Sequence, residues 1–120
     1  MTPKDWEFYT TASGHSPAAK EIGRAKLSQV ESAQLARLME RISVGEVLHK
    51  DVKYIPRYRM HEARLDGDRR IFRLLYAERA DGTRLIASLF TQKKAQTLPQ
   101  KTFETAAKRI ADWDSRDTTH

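Results

Sequence analysis

The chain has 120 residues, 39% of them apolar and 32% charged, and its 22 Lys and Arg outnumber 16 Asp and Glu for a net charge of +6. No apolar run approaches the roughly 18 residues of a membrane span, no basic-then-apolar leader pattern is visible, and the absence of cysteine removes disulfide scaffolds, thiolate zinc sites, iron–sulfur clusters and Cys nucleophiles. The expectation is one cytoplasmic domain over residues 1–120, whose charge suits a polyanion such as nucleic acid, or an acidic protein, unless it is simply a basic domain.

Trp6, Phe8 and Thr10 alternate with Glu7 and Tyr9, which predicts a short strand over Trp6 to Thr11. A Ser-, Gly- and Pro-containing turn follows, and Ser16 with Pro17 reads as an N-cap and first helical residue. From about Pro17 to Val44 the pattern is helical. Leu35, Leu38, Met39 and Ile42 share one helix face with Leu27 and Val30, while Ile22 falls off it. That mismatch predicts a helical hairpin broken near Arg24 to Ser28, ended by Gly45.

Residues 46–57, with Lys50, Lys53, Pro56 and Arg57, read as a basic loop. Three strands follow, over Tyr58 to Leu65, Arg70 to Glu78 and Arg84 to Thr91. Asp66-Gly67-Asp68 and Asp81-Gly82 supply hairpin turns between them. The second and third of these strands are apolar on both faces, so they belong at the centre of the sheet. From Pro99 a last amphipathic helix carries Phe103, Ala106, Ala107 and Ile110, with Trp113 close behind. The order β-α-α-β-β-β-α, with helices grouped on one side of a mostly antiparallel sheet, is an α+β fold. Its core spans about residues 6–113, and the polar tail 114–120 is expected to fray.

Arg73 is the most informative residue, because it sits inside the most apolar strand, flanked on its own face by Ile71 and Leu75. A guanidinium stays charged and needs partners or water. Either it is paired with Glu62 or Glu78, or it faces an open cleft. Glu62 and Arg64 share a face two residues apart. They read as a surface pair, or as a general base beside a phosphate-binding cation. Lys93 and Lys94 end the last strand as an edge guard or as phosphate ligands, and Lys50, Lys53, Arg57 and Arg59 add a basic rim. His15, His49, His61 and His120 show no metal-pair spacing, and Ser13-Gly14-His15-Ser16 is too short for a phosphate loop.

Taken in order, Glu62-Ala63-Arg64, Phe72-Arg73-Leu74-Leu75-Tyr76, Phe90-Thr91-Gln92-Lys93-Lys94, Pro99 and Ala106 to Arg109 resemble the RelE/HigB superfamily of bacterial toxins, in its phage-derived HigB-like branch. The resemblance covers about residues 58–113. It implies a RelE-like compact fold and a type II toxin that cleaves mRNA in the ribosomal A site, needing no metal or other cofactor. It also implies neutralisation by a cognate helix-turn-helix antitoxin. Carried over by position, Arg73 holds the scissile phosphate, Arg64 assists, Lys93 stabilises the transition state and Glu62 is a candidate general base. Lys94, Lys50 and Lys53 contact RNA, and Phe90 stacks on a base or belongs to the core. Phe103 stands where RelE has a tyrosine, and no histidine ends the third hairpin strand, which leaves the proton-transfer group open. A ParE-like inhibitor of DNA gyrase without nuclease activity, and a degenerate relative that only binds its antitoxin and operator DNA, remain the alternatives, since fold does not decide function.

Overall fold

The two segments that are apolar on both faces lie where such segments must lie, in the middle of a sheet covered on both sides. A computed structural model of the chain describes residues 2–79 and 81–117. The elements are β1 (Asp5–Phe8), α1 (Pro17–Arg24), α2 (Gln29–Ser43), β2 (Val52–Ile55), β3 (Met60–Asp66), β4 (Ile71–Arg79), β5 (Arg84–Lys93) and α3 (Gln100–Arg116). One sheet runs in the order β1-β5-β4-β3-β2. Strands β2 to β5 form an antiparallel meander, and β1 lies parallel to the first half of β5. The fold is α+β with a mostly antiparallel sheet.

Local chemistry accounts for the elements. Ser16 Oγ accepts a hydrogen bond from the Ala19 N–H and Pro17 occupies the first turn of α1. Ser28 and Glu31 form a capping box at the start of α2, which breaks the hairpin where the periodicity shifts. Gly45, at φ 76°, ends α2 in the left-handed region that glycine tolerates best. Asp81 and Gly82 both take positive φ, as the tight turn between β4 and β5 requires.

The structure corrects the sequence reading in three places. The helices do not group on one side. Leu35, Leu38 and Ile42 of α2 pack with Ala63, Leu65, Phe72, Leu74 and Phe90 on one face of the sheet. Leu75 and Leu89 point the other way, against Ala106, Ala107 and Phe103 of α3. Two-sided apolar strands need two covering layers, and α3 is the second. The basic segment 46–57 is not all loop, because Val52–Ile55 pairs with Met60–Ala63 as edge strand β2, and Tyr58 and Arg59 fall in the turn between them. The tail is ordered further than expected, since α3 runs through Asp114 to Arg116. Arg79 pairs with Asp114 at 2.7 Å and Arg116 donates to the Thr10 carbonyl. Residues 118–120, His120 among them, lie outside the described residues.

Two devices fix the half of the sheet that β1 does not reach. A bulge between Leu75 and Tyr76 shifts the β4–β5 register. Beside it, Arg109 of α3 donates to the Ser88 carbonyl at 2.8 Å and pairs with Glu21 of α1. Glu21 in turn accepts the Phe90 N–H at 3.0 Å. Edge backbone groups without a strand partner are thus satisfied by side chains. At the other end, buried Glu31 accepts from the Asp68 N–H and from Arg70 Nε and Nη2, joining the start of α2 to the β3–β4 hairpin. These bonds, the Arg70 guanidinium foremost, hold the Glu31 carboxyl down at about 2. Gly67 gives this carboxylate its room, because a Cβ there would meet Glu31 Oε2 at 2.2 Å.

Candidate active site

Register explains why a cleft exists. On the face covered by α3, Lys53, Glu62, Leu75 and Leu89 form one row across the strands, and Arg64, Arg73 and Thr91 form the next. Asp66, Ile71 and Lys93 form a third. The α3 residues Phe103, Ala106 and Ala107 seal Leu75, Leu89 and Met60. Beyond that seal the face turns from apolar to charged. The resulting cleft, of about 210 Å³, is lined by His49, Lys50, Asp51, Val52, Lys53, Glu62, Arg64 and Arg73.

Arg73 forms its floor. Its side chain is 9% exposed, and Nε donates to Glu62 Oε2 at 2.5 Å. Nη1 is buried and has no hydrogen-bond partner among the described residues. A desolvated guanidinium with an unfilled donor is costly. Both readings of Arg73 left open by the sequence therefore hold together: it is ion-paired, and it faces a cleft.

Glu62 is 6% exposed. One oxygen is bonded to Arg73, and the other lies 3.9 Å from Lys53 Nζ. This geometry makes it the anchor of Arg73, and the expected role as general base does not suit a carboxylate so engaged. Arg64, directly opposite Arg73, is bonded to Asp66 at 2.7 Å and remains partly exposed. Lys93 is half-buried at the next row. Burial and then the Arg73 guanidinium press its pKa below the usual lysine range, with Arg64 and Lys53 adding and Glu62 opposing. Crowded cations of this kind are poised to accept negative charge.

The candidate residues thus divide. Glu62, Arg64, Arg73, Lys50 and Lys53 meet in the cleft, and Lys93 stands beside it. Lys94 does not, because the pleat turns it away. It lines a hollow with Arg24, Phe72 and Phe90 on the α1 side, and a second with Arg69 and Arg70 at the hairpin. Phe90 is core: it is 2% exposed and stacks on Phe72 at 5.2 Å on the opposite face of the sheet. It has no open ring face to offer a base. Arg109, part of the family-like pattern, serves the β5 edge. Among the described residues, no group of three or more His, Asp or Glu is placed to hold a metal ion.

Sequence reasoning missed His49 as a lining residue. It lies in the turn that precedes β2, and only the pairing of β2 with β3 carries that turn to the cleft. Asp51 anchors the turn, its carbonyl accepting the Arg64 N–H at 2.6 Å. Alternation of Val52 and Tyr54 with Lys53 and Ile55 was the available signal, diluted by the surrounding Lys, Pro and Arg. His61, by contrast, stacks on Tyr76 and meets Tyr54 at a tilt, both at 5.0 Å, away from the cleft.

No protein-family model and no curated protein matches the chain.

Proposed function

We propose that this protein is a toxin of the RelE/HigB kind, an endoribonuclease that cleaves mRNA on the translating ribosome and is held in check by a helix-turn-helix antitoxin. The observation that carries the reading is Arg73, buried in an ion pair with Glu62 and yet lining a cationic cleft with Lys50, Lys53 and Arg64. A phosphodiester is the anion that such a cluster of cations suits. Arg64 and Lys53 line the same cleft, Lys93 stands beside it, and their charge favours the extra charge of a pentacovalent phosphate. The sequence resemblance over residues 58–113 is independent support, and it is what directs the reading to ribosome-bound mRNA.

The chemistry is attack of a 2′-hydroxyl on the adjacent phosphorus. The 2′-oxygen–phosphorus bond forms and the bond to the 5′-oxygen breaks, leaving a 2′,3′-cyclic phosphate and a 5′-hydroxyl. Glu62 serves by holding Arg73 in line, through the bond to Nε, so that its Nη atoms face the phosphate. Arg64 and Lys93 neutralise charge, and Lys50 and Lys53 guide the flanking backbone.

Protein synthesis in a defined extract tests the reading. The wild-type protein stops amino-acid incorporation, and Arg73→Ala, checked to be folded, fails to do so. Undiminished synthesis in the presence of the wild-type protein would overturn the proposal and turn attention to DNA supercoiling by gyrase.

A further inference from the structure

The cleft as described has phosphate ligands but no owner for the proton that leaves the 2′-hydroxyl. Glu62 is committed to Arg73. Phe103 has no exchangeable proton, and it stacks on Tyr58 in the part of the face that α3 seals. His61 lies on the other face of the sheet, and His15 lies in the turn before α1.

His49 is the imidazole that lines the cleft. Its ring is exposed and engages no hydrogen bond or ion pair among the described residues. The turn that carries it is well tied. The Leu48 carbonyl accepts from Asp51 N–H at 2.9 Å and from Val52 N–H at 3.2 Å. The Asp51 carbonyl accepts from Arg64, which stands directly opposite Arg73. A short chain of backbone bonds therefore ties the turn that carries His49 to the strand opposite Arg73.

We propose that His49 is a catalytic residue of this cleft, taking the proton of the 2′-hydroxyl that attacks the phosphate held by Arg73. The inference rests on the nuclease reading. The step balances as the 2′-oxygen bonds to phosphorus, the hydroxyl proton passes to the imidazole, and the departing 5′-oxygen takes a proton from solvent water. The charged groups facing His49 are Lys50, Asp51 and Lys53 from its own turn and β2, Glu62 and Arg64 from β3, and Arg73 from β4. Histidine is the side chain whose charge ordinarily changes between about pH 5 and 8.

The test is single-turnover cleavage of a defined mRNA on programmed ribosomes across that pH range, with wild type, His49→Gln and His49→Ala. The wild-type rate rises with pH, as catalysis by a general base requires. His49→Gln is at least about 100-fold slower and loses that dependence, RNA binding is retained, and added imidazole restores part of the His49→Ala rate. An unaltered rate and pH profile in His49→Gln overturns the assignment while leaving the nuclease reading standing. A wild-type protein that never cuts overturns both.

Discussion

Arg73 and Glu62 illustrate how one buried pair can serve both stability and chemistry. Neither charge is free to leave the pair, yet the guanidinium keeps one donor unspent. Arg73→Lys removes the fork that binds Glu62 and phosphate together, so it is expected to lose at least about 100-fold in cleavage rate, as Arg73→Ala does. Glu62→Ala strands the guanidinium. Chemical denaturation is expected to show a loss on the order of 3 kcal/mol, the low end for a broken buried pair because the cleft admits water. Arg73 was legible in the sequence because a cation inside an apolar strand demands an explanation. Its partner was not settled, because Glu62 and Glu78 are both candidates until cross-strand register is known. Phe90 was ambiguous for a related reason: an aromatic in a strand covered on both faces gives no hint of which face it takes.

Element boundaries are set here by side chains far apart in sequence. Glu31 closes the capping box of α2 by accepting the Ser28 N–H, and the same carboxylate clamps the β3–β4 hairpin. Its folded carboxyl titrates at about 2, against an ordinary 4.5. A depressed carboxylate contributes stability that is complete above the ordinary value and is lost as pH falls toward the folded one. Thermal unfolding should therefore show a falling melting temperature between about pH 4.5 and 2, and Glu31→Gln should flatten that decline. The C-terminal end of α3 gives a second expectation. Removing residues 114–120 deletes the Arg79–Asp114 and Arg116–Asp112 pairs. A melting temperature lower by a few degrees is expected, where a frayed tail would cost nothing. Helix faces, both hairpin turns and the break between α1 and α2 were readable from spacing. The strand β2 was not, because an edge strand buries little and Lys53 and Tyr54 leave it without a clear apolar face. The last turn of α3 was missed because polar residues were read as tail, when their partners lie in β4, in β5 and in the segment after β1.

At the scale of the molecule, one asymmetry creates the candidate site. Helices α1 and α2 cover one face of the sheet, while α3 covers the other only in part. The uncovered portion holds Glu62, Arg64, Arg73 and Lys93. The sequence shows that two strands are apolar on both sides, but it does not show that the second cover stops short. That depends on where α3 crosses, which Leu98, Phe103 and Ala106 decide by packing on Met60, Leu75 and Leu89. Net charge alone would have spread suspicion over all 22 basic residues, and packing gathers Lys50, Lys53, Arg64 and Arg73 into one cleft. The same fold can carry other functions, so the cleft's chemistry has to be tested directly. Mapping RNA 5′ ends by primer extension on one defined mRNA does so, in a translation extract with wild-type protein and with folded Arg73→Ala. New 5′ ends are expected only while ribosomes elongate, and they vanish in the variant. Intact mRNA with the wild-type protein, or the same cuts with Arg73→Ala, would contradict the nuclease reading.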